Sequence, residues 1–259
     1  MTLRDEKYKG YSKRIQEDEV YLSNFVKEFE PYWIYKRSIK ITKDTIIIAD
    51  IRRSHDKYNT LIIFSDGVPI VTKENSGDII AEYQKNRQKN YWFSKMIIKE
   101  VFGKSNYLHA YMEKDSVFVP IEGESRGNVT YFNISYIDSV SSYSDYEAVI
   151  SFCNYLDTIV PRKVHSVKRR LKTYLKHFIV YRYGVIYENT VGTNFQPFNY
   201  WKGKCYEEYD HLMIDVINDI KKDVNISAIN DCRIINEIQH DRTIEQQYKV
   251  MEEIINDNQ

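Results

Sequence analysis

The sequence predicts an α+β fold: a mostly antiparallel β-sheet region, followed by a basic amphipathic helix and a C-terminal helical segment. Three observations carry this. Short β-branched and aromatic runs separated by polar turns recur between about residues 35 and 160. In Pro161–Tyr183 (PRKVHSVKRRLKTYLKHFIVYRY), Val164, Val167, Leu171, Tyr174, Leu175 and Phe178 follow three- and four-residue steps, the spacing of one helix face. Tyr209, Leu212, Met213, Val216, Ile217 and Ile220 repeat that spacing. A chain of 259 residues accommodates one large domain or two small ones. The expected division is an N-terminal helical segment (1–30), a β-rich domain with the basic helix (31–183) and an acidic helical region (184–259).

In chain order, Val20, Leu22, Phe25, Val26 and Phe29 predict a short amphipathic helix before Pro31. Ser38–Ile41, Thr45–Ile51, Tyr58–Phe64 and Val68–Thr72 read as strands, with Ser65-Asp66-Gly67 as a hairpin turn. Ile79–Tyr83 begins a short helix that leads into the basic loop Gln84–Asn90. Ile97–Phe102 reads as a strand or short helix. Tyr107–Tyr111, Val117–Ile121, Val129–Ile134, Tyr136–Val140 and Ala148–Phe152 continue the strand pattern, and the basic helix, Pro161–Phe178, follows directly from the last of them. Asn189–Gly203 reads as a loop with buried aromatics. Ile234, Ile235 and Ile238, then Ile244, Tyr248, Met251, Ile254 and Ile255, predict one or two further helices.

The formal net charge is zero, yet the charge is unevenly distributed. Residues 161–200 carry eight Lys/Arg against one acidic residue, whereas residues 205–259 carry five against thirteen. A basic middle beside an acidic tail is the asymmetry of a polyanion binder. The plainer alternative is a solvated charged face that binds nothing. Cys153, Cys205 and Cys232 form no C-x-x-C pair, which predicts a reducing compartment and neither a disulfide framework nor a zinc site. The polar N-terminus and the lack of a long apolar run predict a cytoplasmic protein with no membrane segment.

Catalytic patterns are weak. Nine scattered glycines form no phosphate-cradling loop, and six histidines show no metal-ligand spacing, so no cofactor or metal is expected. Cys205 with His211, and Glu122, Glu124 and Arg126, are better read as a buried thiol and a polar turn than as nucleophile, base or acid. No enzymatic activity is expected. The candidate site is instead cationic: Arg162, Lys163, Lys168, Arg169, Arg170, Lys172 and Lys176 on the helix, with Arg87, Lys89 and Arg126 on loops. Each can neutralise a phosphate and release counterions. An arginine on a loop can also enter a narrow A·T-rich minor groove.

Several features then fall in a familiar order. An apolar strand (Leu61–Phe64) precedes a short helix (Ile79–Tyr83), a basic loop with Arg87, and the step Gly103-Lys104-Ser105. Val117-Phe118-Val119-Pro120, a turn with Ser125, the aromatic strand Tyr131-Phe132-Asn133-Ile134-Ser135, Ile137, Phe152-x-Asn154 and a helix follow. Over about 61–176 the chain resembles the ComK competence transcription factor family of low-GC Gram-positive bacteria. Ser105-Asn106 stand where that family carries a proline pair, and Tyr131 or Phe132 where it carries tryptophan. The resemblance implies a cytoplasmic activator that binds A·T-rich double-stranded DNA as a homo-oligomer, with abundance set by an adaptor and a protease. Ile134–Phe152 also resembles a LytTR-like DNA-binding domain. Two readings outside DNA binding stay open: a protein-interaction module in which the basic helix pairs with the acidic tail, and an enzyme acting on nucleic acid through Glu122 or Glu124.

Overall fold

A computed structural model of the chain describes residues 20–21, 30–85, 98–99, 102, 110–113, 115–120, 129–153, 156–186, 198 and 201–209. These residues form an α+β fold of two sheets and two helices. The larger sheet has seven strands: β2 (Ile34–Tyr35), β3 (Thr45–Asp50), β4 (Thr60–Phe64), β5 (Pro69–Thr72), β6 (Tyr111–Met112), β7 (Val117–Pro120) and β8 (Tyr131–Asn133). Their spatial order is β2-β5-β4-β3-β8-β7-β6. The smaller sheet holds β1 (Val20–Tyr21), β9 (Ile137–Ser142), β10 (Ala148–Phe152) and β11 (Leu156–Val160), in the order β1-β11-β10-β9. All pairings are antiparallel except β1 with β11 and β2 with β5.

Alternation within the large sheet separates two apolar layers. Leu61 and Ile63 on β4, Val117 and Val119 on β7 and Phe132 on β8 face one core. Ile62, Phe118 and Tyr131, their neighbours in sequence, face the other. Period-two alternation delivers this separation because adjacent strand residues point to opposite faces. β3 departs from it, with Ile46 and Ile47 both in the first core. A register shift between Thr45 and Ile47 inserts the extra residue.

Helix α1 (Ser76–Lys85) covers the second face through Ile79, Ile80 and Tyr83. The first face packs on helix α2 (Val164–Ile186) and the small sheet, so Phe132, Ile150, Leu171 and Phe178 share one core. Phe198, Trp201 and Cys205 belong to the same core; of the loop expected over Asn189–Gly203, residues 189–197 and 199–200 lie outside the described residues. Between β4 and β5, Gly67 adopts φ 78°, a left-handed turn conformation in which a side chain would be strained. Its N–H donates to the Phe64 carbonyl at 2.8 Å, and Asp66 Oδ1 accepts from Val68 N at 3.0 Å.

Four expectations are corrected. A strand, β11, lies between Phe152 and the helix; the Cys153–Tyr155 link carries no glycine or proline to punctuate the sequence. The basic helix runs from Val164 to Ile186, starting later and ending later than Pro161–Phe178. Ser38–Ile41 is not a strand: Ile39 N donates to Glu74 Oε2, two residues past β5, and just before the segment Thr72 Oγ1 donates to the Arg37 carbonyl. Val20 and Tyr21, expected on a helix, form a strand parallel to β11. The rest of that predicted helix, and the helices predicted after Tyr209, lie outside the described residues. No helix among the described residues is long and apolar enough to cross a membrane.

Candidate nucleic-acid interface

Helix α2 starts three residues after Pro161, and its first turn contains no acidic residue. Ser166 N and Val167 N both donate to the Lys163 carbonyl, which opens the helix. Arg162, Lys163 and His165 thus surround a terminus that already carries the positive end of the helix dipole, an arrangement that costs stability unless an anion is near. Arg162 is half-buried, and its Nε has no hydrogen-bond partner.

Along the helix, Val167, Leu171, Tyr174, Leu175 and Phe178 are buried, as their spacing predicts. Tyr174 also donates its hydroxyl to the Pro120 carbonyl at 3.4 Å, fixing α2 against β7. On the opposite arc, His165, Arg169 and Lys172 are exposed and Lys176 is half-buried. Their spacing of four, three and four residues makes one straight stripe, about 16 Å long at ~1.5 Å per residue. The stripe contains no carboxylate, because the sequence has none between Asp157 and Glu188.

The remaining predicted contacts are placed differently. The Lys163 ammonium lies 4.8 Å from the ring centroid of Tyr146, at the tip of the β9–β10 hairpin. Lys168, half-buried on one flank, pairs with Glu208 at 2.9 Å. Arg170, two residues on and therefore on the other flank, is also half-buried. Arg182, part of the basic run in sequence, is buried in the C-terminal half of α2. From His177 to Arg182 every residue is buried, so the helix leaves the surface there. Arg87, Lys89, Arg126, Glu122 and Glu124 lie outside the described residues.

Tyr146, 69% exposed, is absent from the predicted contacts, since the Tyr-Ser-Asp-Tyr run reads as a strand separator. Its presentation is set locally: Ser144 Oγ accepts from Tyr146 N at 3.3 Å, and Tyr143 N donates to the Glu147 carbonyl at 3.1 Å. Burial pushes the Cys205 thiol up to about 12 and raises that of Cys153. Neither forms a disulfide, and Cys232 lies outside the described residues. Among the described residues no cluster of His, Cys, Asp and Glu could hold a metal ion. No protein-family model, curated protein or solved structure matches the chain.

Proposed function

We propose that the chain is a sequence-specific DNA-binding transcription regulator, similar to the ComK activators, which contacts A·T-rich duplex DNA through α2. The carboxylate-free stripe of His165, Arg169, Lys172 and Lys176 on the outer arc of a helix anchored by its inner face is the observation that carries this reading. Such a surface neutralises phosphates without distorting the core. In this reading the stripe and Arg162, Lys163, Lys168 and Arg170 supply affinity, while Arg87, Lys89 and Arg126 read the groove. Regulation of competence, assembly as a homo-oligomer, adaptor and protease control, a cytoplasmic location and the lack of enzymatic activity belong to the same proposal. The test is a salt titration of binding to an A·T-rich duplex. Arg169→Ala with Lys172→Ala is expected to flatten the plot of log affinity against log salt by about two units, at ~0.9 per phosphate contact. Far-ultraviolet circular dichroism is expected to stay unchanged. An unchanged slope removes α2 from the interface.

The ion pair between Lys168 and Glu208 favours a second reading, in which acidic residues near the C-terminus cover the basic helix. Deleting residues 205–259 would not test it cleanly, since Cys205 is in the core. Glu208→Gln is the better variant. Tighter duplex binding by this variant supports a mask, and unchanged binding removes Glu208 from that role.

A further inference from the structure

Away from α2, the edge strand β2 and the β3–β4 connection build an aromatic cluster. Tyr35, 49% exposed, lies 5.6 Å from Tyr58 between ring centroids with an interplanar angle of 31°. Tyr58 in turn stacks on His55 at 5.2 Å and 18°. Trp33, buried beneath them, meets His55 edge-on at 5.1 Å and Tyr58 at 6.2 Å. Three rings therefore form a short ladder over a fourth, with Tyr35 at its open end.

The ladder is built before any ligand arrives. His55 Nδ1 accepts from the backbone N–H groups of Lys57 and Tyr58, both at 3.1 Å, so the ring proton sits on Nε2, 3.5 Å from Glu30 Oε1. The connection is closed by Ile51 N donating to the Asn59 carbonyl at 2.9 Å, and by Ser54 N and His55 N donating to the Ile51 carbonyl. Rings held this way lose little freedom when a further planar group stacks on them.

Charge favours an anionic planar ligand. Lys36, Arg37, Arg53 and Lys57 are all exposed on these segments, and the Lys57 ammonium lies 5.3 Å from the Tyr58 ring centroid. Of the nearby carboxylates, Asp50 is engaged by Arg52 at 2.9 and 3.0 Å, Glu30 faces His55 and Glu74 accepts from Ile39 N at 3.4 Å, while Asp56 is exposed. An aromatic face flanked by cations is how proteins hold unpaired bases, stacking the base and neutralising its phosphate. A proline-rich peptide also packs on aromatic rings, but it would make no use of the four cations.

We propose that Tyr35, Tyr58 and His55, with Lys57 and the Lys36-Arg37 pair, form a stacking platform for an unpaired base of single-stranded nucleic acid. The platform is separate from the duplex surface proposed for α2 and does not depend on it. The test uses the full chain with a ten-nucleotide oligothymidylate and an abasic deoxyribose-phosphate chain of equal length, compared by fluorescence anisotropy. Any electrostatic grip elsewhere, α2 included, affects both oligomers equally, so the ratio of the two affinities reports stacking. The unsubstituted protein is expected to prefer the base-bearing oligomer about 10-fold. Tyr35→Ala is expected to bring that preference close to one, whereas Tyr35→Phe retains it. Lys57→Ala is expected to weaken binding of both oligomers and leave the ratio in place. The proposal is overturned if the unsubstituted protein shows no preference or if Tyr35→Ala keeps it. It is equally overturned if Tyr35→Ala abolishes binding of a polyproline peptide while the oligomers are unaffected. An unchanged duplex salt slope in the Arg169→Ala, Lys172→Ala variant, with the base preference intact, would sink the duplex reading alone.

Discussion

The side-chain amide of Asn133, with no exposed surface, joins three segments. Its Oδ1 accepts from Val117 N at 3.1 Å on β7 and from Ser135 N and Oγ at 3.3 and 2.7 Å, while its Nδ2 donates to the Thr45 carbonyl at 2.9 Å on β3. Replacing it by leucine leaves the Val117 N–H and Thr45 carbonyl without their amide partner in a dry core. At about 1–3 kcal/mol for each stranded group, Asn133→Leu is expected to cost on the order of 3 kcal/mol, read as a lowered urea midpoint. Asn133→Asp keeps the acceptor but loses the donor and buries a charge, so wild-type stability in that variant would refute the assignment. Nothing in Tyr131-Phe132-Asn133 announces this role, because a polar residue in an alternating strand ordinarily marks the solvent face. The ladder of Tyr35, Tyr58 and His55 is equally illegible: Tyr35 lies on β2, about twenty residues before the other two, and only the closing of the β3–β4 connection stacks them. The exposed stripe on α2 could be read directly, since helical period and charge coincide there.

Residues Trp201–Cys205 run beside Ile134–Asp138 and make a line of bonds to it. Lys202 N and Gly203 N donate to the Ser135 carbonyl at 2.8 and 2.9 Å, Lys204 N to Asp138 Oδ1 at 3.0 Å, and Cys205 N to the Ile137 carbonyl at 2.9 Å. A Cβ on Gly203 would collide with the backbone carbonyl of Ile137, which cannot yield as a flexible side chain would. Gly203→Ala is therefore expected to push the segment off β9 and to cost about 2–3 kcal/mol, the range for a forced overpacking. A thermal midpoint equal to that of the unsubstituted protein would contradict this close approach. The sequence announces α2 but not its end. Its first half alternates charge and apolar residues at helical spacing, whereas Phe178-Ile179-Val180-Tyr181 is apolar on every side and rich in β-branched and aromatic residues, as in a strand. Residues 178–181 are helical although apolar all round, because each is buried, a tertiary effect with no signature in local spacing.

At the level of the whole chain, one apolar core spans both sheets and α2, and a titratable group sits within it. His177 is 5% exposed, with Phe102 and Tyr174 against its ring at 5.2 and 6.3 Å, and burial lowers its pKa to about 4. The unfolded chain binds a proton there near pH 6.5 and the folded chain does not until about 4. The stability that neutral His177 permits is thus fully present above about pH 6.5 and falls away as the pH drops towards 4. The shift corresponds to a loss on the order of 3 kcal/mol. His177→Phe keeps a ring of similar shape and is expected to show a shallower decline in urea midpoint between pH 7 and 4. Parallel declines in the two proteins would mean that His177 is not the group responsible. The parallel pairing of Val20 with Thr158 and Tyr21 with Ile159 bears on how the molecule comes into being. The seven-stranded sheet is encoded entirely before Ile134, so its backbone ladder can close while synthesis continues. β1 leaves the ribosome before β11 and waits for it, on the order of ten seconds at about 5–20 residues per second. The newborn chain is therefore expected to acquire its two sheets in sequence, with β1 among the last strands to be seated.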